Sequence, residues 1–199
     1  MRRFTLDHAR LLMSGAPAHV IGVLLVLTGM AIVAGHFVLP AVFAAALPGV
    51  AITAPNTAVC FILCGMALCL SPIDTRRRHL GMTIMLIALL VMLQRWLNLY
   101  PQYQPLQYIL TVQHSPQPGS PGSAMSLTTA SGLFSSGLFL ALSPAFNAPR
   151  LRMVLLLITF STALIGLLAR LLGIADIFLI VPYSGGMGWV TALALLLLV

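Results

Sequence analysis

Arg95 and Arg170 are the residues whose type and place most need a chemical reason, because each lies near the end of a long apolar run. A guanidinium at membrane depth is costly enough to mark a functional position by default. His36 holds the corresponding place in an earlier run, lying 21 residues before Thr57 as Arg170 lies 21 before Thr191. If the helices that carry them pack about a common axis, His36, Arg95 and Arg170 form one basic level that an anionic or polar small ligand could meet. Asn56, Thr128 and Thr191 stand at the starts of the intervening runs, where helix N–H groups and side-chain hydroxyls would add to that level. Asp176, six residues beyond Arg170, is the one carboxylate on that side and could fold back to pair with either arginine. Trp96, with Tyr100, Tyr103, Tyr108, Tyr183 and Trp189, either lines such a pocket or belongs to an interfacial aromatic belt. The plainer reading of the arginines is that they snorkel to headgroups, or pair with a carbonyl or with Asp176.

The same inventory removes several chemistries. The chain has ten arginines, no lysine, three aspartates and no glutamate. One carboxylate on a face cannot run a carboxylate dyad, and proton relays need more acidic groups within the membrane. There is no recognisable nucleophile and base pair, so this region is not expected to be an enzyme. Five histidines raise haem or metal binding, but no His-x₃-His pair occurs. A haem would rest on His36 as ligand, against the commoner case of a histidine hydrogen-bonded at a helix end. No cofactor is expected. Cys60, Cys64 and Cys69 fall in one apolar run without a CxxC pair, so they read as small buried residues rather than a zinc site or disulfide framework. The net charge of +7 does not point to nucleic acid. The arginines come in short clusters between apolar runs, which is the pattern that meets anionic lipid and sets orientation.

The elements that must position these residues follow from composition. Sixty per cent of the 199 residues are hydrophobic and 7% charged, against roughly 25% charged in soluble domains. Apolar stretches occur at about 17–38, 54–71, 80–100, 125–143, 151–172 and 187–199. The first five are long enough to cross a core of roughly 30 Å at 1.5 Å per residue. The sixth stops in mid-run at Val199, and the expectation is that a cytoplasmic output domain follows it. Arg2, Arg3 and Arg10 precede the first stretch, Arg76–Arg78 separate the second and third, and Arg150 and Arg152 separate the fourth and fifth. These alternate segments are expected in the cytoplasm, with both termini. Residues 1–16 include a short amphipathic stretch at 4–14, expected to lie in the membrane interface. The expected fold is therefore all-α: a polytopic membrane bundle of about six transmembrane helices.

Internal similarity organises the six. Offset by 72 residues, Thr57-Ala58 falls on Thr129-Ala130, Gly65 on Gly137, and Leu70-Ser71-Pro72 on Leu142-Ser143-Pro144. Offset by 75, Ala88-Leu89 falls on Ala163-Leu164, Leu93 on Leu168 and Arg95 on Arg170. Cys60 and Cys64 match Gly132 and Ser136, small residues four apart that let helix backbones approach. Three tandem hairpins, 17–71, 80–143 and 151–199, are expected. Because each crosses twice, the repeats are parallel, unlike those of inverted-repeat transporters.

The phrase Ala54-Pro55-Asn56-Thr57-Ala58, leading into a Leu- and Gly-rich helix through Leu68, is echoed at Met125-Ser126-Leu127-Thr128-Thr129-Ala130. It resembles the multi-span input regions of bacterial histidine kinases and diguanylate cyclases. The Ser- and Gly-rich stretch 131–137 departs from the Leu-rich pattern. The resemblance implies a sensor module in the bacterial inner membrane, homodimeric, whose last helix passes a signal to cytoplasmic PAS, kinase or GGDEF modules. It carries over no ligand and no binding residue. The alternative is a small integral membrane subunit of a respiratory or photosynthetic complex, or a small transporter. A transporter needs a polar path across the bilayer, which the stretches below Arg95 scarcely offer.

Overall fold

The computed structural model describes residues 2–37, 54–96, 125–142, 149–171 and 189–197, with side chains described for all of these but 2–16, 36–37, 95–96, 169–170 and 189. All the regular structure among them is helical: α1 (Arg2–Phe37), α2 (Pro55–Cys69), α3 (Thr75–Trp96), α4 (Leu127–Ala141), α5 (Pro149–Leu171) and α6 (Trp189–Leu197).

Local chemistry sets the boundaries. Pro55 opens α2 at its first position, where its missing N–H is no loss and its φ is already helical. At the start of α4 the Ser126 hydroxyl accepts the N–H of Thr129 at 3.1 Å, a side-chain cap. Asp74 performs the same service for α3, its carboxylate accepting the N–H of Arg76 at 2.8 Å. Helices α2 and α4 both stop at leucine, Leu70 and Leu142, each in extended backbone two residues before a proline. The α conformation is disfavoured just before proline. Residues 4–14 are helical as expected, but the backbone continues without interruption through Pro17 into the apolar stretch.

Among the described residues three segments are long and apolar enough to cross a membrane: Pro17–Gly35, Thr75–Gln94 and Pro149–Leu168. Each buries 22% of its apolar window, and the rest is a surface of leucine, isoleucine, valine and methionine, such as Leu27, Leu86, Leu90, Leu157 and Ile165. So large an exposed apolar area suits lipid and not water, and the chain is described accordingly as a membrane protein. Helices α2 and α4 fall short of the expected 54–71 and 125–143 spans. At 15 residues each they rise only about 22 Å, because proline and the Ser126 cap trim them at both ends.

These short helices are the inner ones. Helix α2 packs between α1 and α3, α4 between α3 and α5, and α6 lies against α5 and α4, so the long helices pack on the short ones rather than extensively on one another. The inner faces are small-residue surfaces. Gly22 on α1 and Gly65 on α2 are in direct backbone apposition, and Gly29 lies so near α2 that a Cβ there would come within 2.6 Å of the Ala58 carbonyl oxygen. On the next pair, a Cβ at Gly81 would lie 2.7 Å from the Gly137 carbonyl oxygen, and one at Gly137 2.7 Å from the Met85 nitrogen. Both pairs run antiparallel, as does α4 against α5, where Ser135 and Ser136 meet Thr159. The short turn between Leu70 and Thr75 folds α3 back against α2 as well, so the long helices all point the same way. The arginine-bearing starts of α3 and α5 gather at one end, where Arg152 stands near half-buried Arg77.

The close approach predicts the cost of bulk. Gly65→Val and Gly137→Val should each lower stability in detergent by about 1–3 kcal/mol, the usual penalty for overpacking. Leu90→Val, on an exposed face, should stay within about 0.5 kcal/mol. Thermal unfolding followed by circular dichroism distinguishes them, and equal effects at the three positions would contradict the packing described.

Candidate site at the buried starts of α2 and α4

The long helices bury one stripe each, and the stripes share a register. On α1 the stripe is Leu25, Gly29 and Ile32; on α3, Ile84, Ala88 and Val91; on α5, Thr159, Ala163 and Gly166. Seven residues beyond Gly29, Ala88 and Ala163 come His36, Arg95 and Arg170. Seven residues are two turns of helix with a drift of only about 20°. The three basic positions therefore fall in register with the buried stripe of their helices. Their side chains, and that of Trp96, lie outside the described residues, as does Asp176 entirely.

Helix pairing sets the level of these positions. The contacts of Gly81 with Gly137 and Ala141, and of Gly137 with Met85, stepped outward residue for residue, bring position 95 within about two residues of Met125, beside the Ser126 cap. The Ser135–Thr159 contact, carried the same way, brings position 170 within about one residue of that level. Arg95 and Arg170 thus flank the start of α4 from α3 and α5. Position 36 comes about one turn beyond Pro55 by the Gly22–Gly65 pairing, beside the start of α2. Positions 95 and 170 come beside the start of α4 and position 36 beside the start of α2, and α2 and α4 stand between the long helices.

The two helix starts are buried and polar. Ser126 is 6% exposed and Thr129 3%, and the Ser126 hydroxyl lies 2.8 Å from that of Thr129 and 3.0 Å from that of Thr128. At α2, Asn56 is buried and its Oδ1 accepts the N–H of Thr57 at 2.9 Å. Thr57, Thr129 and Thr191 are all buried, as are Ala58, Ala130 and Ala192 one residue on. A helix start with a cluster of hydroxyls and two arginine-bearing helices beside it is suited to an anion or a strongly polar group.

No protein-family model, curated protein or solved structure matches this chain. The residues themselves therefore carry the functional argument. Among the described residues no three of His, Cys, Asp or Glu are grouped to hold a metal ion. Cys60 and Cys64 are buried free thiols on α2, and Cys69 is partly buried.

Sequence reasoning passed over a second polar cluster deeper in the bundle. The Thr159 hydroxyl on α5 lies 2.8 Å from that of Ser135 and 3.3 Å from that of Ser136, both on α4. Each hydroxyl also reaches a carbonyl on its own helix: Thr159 to Leu155, Ser135 and Ser136 to Gly132. Buried hydroxyls that are fully partnered hold helices together where lipid supplies no hydrophobic drive. The sequence signal was the Ser-Gly-rich stretch 131–137, set aside as a departure from a leucine pattern. Thr159→Val should cost about 0.6–1.7 kcal/mol. A double-mutant cycle with Ser135→Ala, read by thermal unfolding in detergent, should show coupling between the two sites. Strict additivity would mean that the hydroxyls do not hold the helices together.

Proposed function

We propose that this chain is the membrane-embedded input module of a bacterial signal-transduction protein. It takes an anionic or polar small ligand at the end of the bundle away from the arginine clusters, and passes a displacement through α6 to a cytoplasmic kinase or cyclase domain. The observation that carries the reading is the shared register: three buried stripes lead to His36, Arg95 and Arg170, and two of these flank the capped start of α4. Snorkelling would favour positions on the lipid-facing side; the stripe runs on the other.

Six crossings and three tandem hairpins belong to the proposal. What supports the hairpins is that equivalent positions are buried in each, as with Thr57, Thr129 and Thr191, and that α1 with α2 and α3 with α4 are glycine-mediated antiparallel pairs. Short α2 and α4 are compatible with crossing because they pack between longer helices, and local thinning costs little per ångström. The arginine-rich end is assigned to the cytoplasm by the positive-inside rule, in the inner membrane. Signalling then needs a ligand with different affinities for two packings of the bundle.

A chimera of residues 1–199 and a diguanylate cyclase domain tests the reading. In cells given a panel of small di- and tricarboxylates and phosphate esters, at least one compound should shift cyclic di-GMP severalfold. Arg95→Gln and Arg170→Gln should each abolish the shift while leaving membrane insertion intact. A chimera indifferent to the whole panel would count against a sensor. A Soret band lost on His36→Ala would instead favour a haem-bearing respiratory subunit.

A further inference from the structure

At the arginine-rich end a groove of about 610 Å³ opens between α1, α2 and α3, in the size range of small-molecule sites, roughly 300–1,000 Å³. Val23 and Leu27 of α1, Met66 of α2 and Leu80 of α3 form apolar walls. Val23, Leu27 and Met66 are exposed on the outer surface, so the groove opens sideways to whatever surrounds the bundle. Arg76 and His79, both exposed, stand at one end. From Arg76 to Thr83 the groove follows about two turns of α3, roughly 11 Å. Thr83 adds little polarity, because its hydroxyl is engaged with the His79 carbonyl at 3.0 Å. The Asp74 carboxylate nearby accepts the Arg76 backbone N–H, which caps the helix.

Apolar along its length, basic at one mouth and open to the side, the groove fits an amphiphile with an anionic head. We propose that it holds an acyl chain of one anionic phospholipid, with the lipid phosphate at Arg76 and His79. The inference rests on the membrane reading but not on the sensor reading. Charge complementarity selects the occupant: a guanidinium and an imidazole at headgroup depth attract phosphate, and basic pockets between membrane helices bind anionic heads. The chain gains because lipid fills a gap between α1 and α3 that no side chain fills.

The test is native mass spectrometry of the full chain, delipidated in detergent and given phosphatidylglycerol or phosphatidylcholine with identical acyl chains. One phosphatidylglycerol should be retained at least about fivefold over phosphatidylcholine. The Arg76→Gln/His79→Gln pair should erase that preference, whereas Arg150→Gln, exposed at the same end but outside the groove, should keep it. Leu27→Trp, which fills the groove and leaves both basic groups, should reduce retention of phosphatidylglycerol. Equal retention of the two lipids, or an unaltered preference in the double variant, overturns the site. Undiminished retention in Leu27→Trp overturns the groove as the chain's seat. Carbonate extraction of the unmodified protein from membranes checks the membrane reading separately: release into the soluble fraction would sink that reading first.

Discussion

Helices surrounded by lipid gain nothing from the hydrophobic effect by coming together, since hydrocarbon is as good a neighbour as leucine. Contact must come from close packing and from polar groups that hydrocarbon cannot satisfy. In this protein the first is supplied by glycine. Gly22 with Gly65, and Gly81 with Gly137, bring backbones together where a single Cβ would force them apart, and van der Waals contact becomes dense enough to hold each pair. The rest of the arrangement depends on those two approaches. They fix which helices pair, that the pairs run antiparallel, and which residues of neighbouring helices stand level.

From that constraint comes a division of labour. Helices α2 and α4 pack between the long helices, and turn faces rich in cysteine, serine, glycine and alanine toward them. Helices α1, α3 and α5 lie outside, present leucine-rich surfaces and bury one narrow stripe. Polar side chains are tolerated where they are paired, as in the Ser135, Ser136 and Thr159 cluster between α4 and α5. The two ends of the bundle then differ in chemistry. One gathers the arginines of the first turns of α3 and α5 beside an apolar groove; the other gathers the buried starts of α2 and α4 and the positions of His36, Arg95 and Arg170.

Much of this was legible in the residues. Long apolar runs can satisfy their backbone groups in lipid as helices, so helical structure was legible in composition; five runs read as long enough to span, whereas three described helices have that length. The 72-residue offset singled out Gly65 and Gly137 as equivalent, and both prove to be contact points. The same offset stressed Cys64 and Ser136, yet their parts differ: Cys64 is a buried thiol, while Ser136 joins a hydroxyl cluster. Span ends were harder to read, because hydropathy runs smoothly through Leu70 and Leu142 whereas helix geometry yields to the prolines two residues later and to the Ser126 cap.

The sequence by itself determined that the chain is helical and apolar, and where its few charges fall, with Arg95 and Arg170 near the ends of matching apolar runs. Those properties are local or periodic, and one strand of text contains them. Only the tertiary structure decided that α2 and α4 stand between the long helices, that positions 95 and 170 flank the start of α4, and that Arg76 and His79 stand at the mouth of an apolar groove. These are relations between residues far apart in the chain. They depend on which faces meet, and in lipid that choice rests on the fit of small residues rather than on hydrophobicity, which is nearly the same all round each helix.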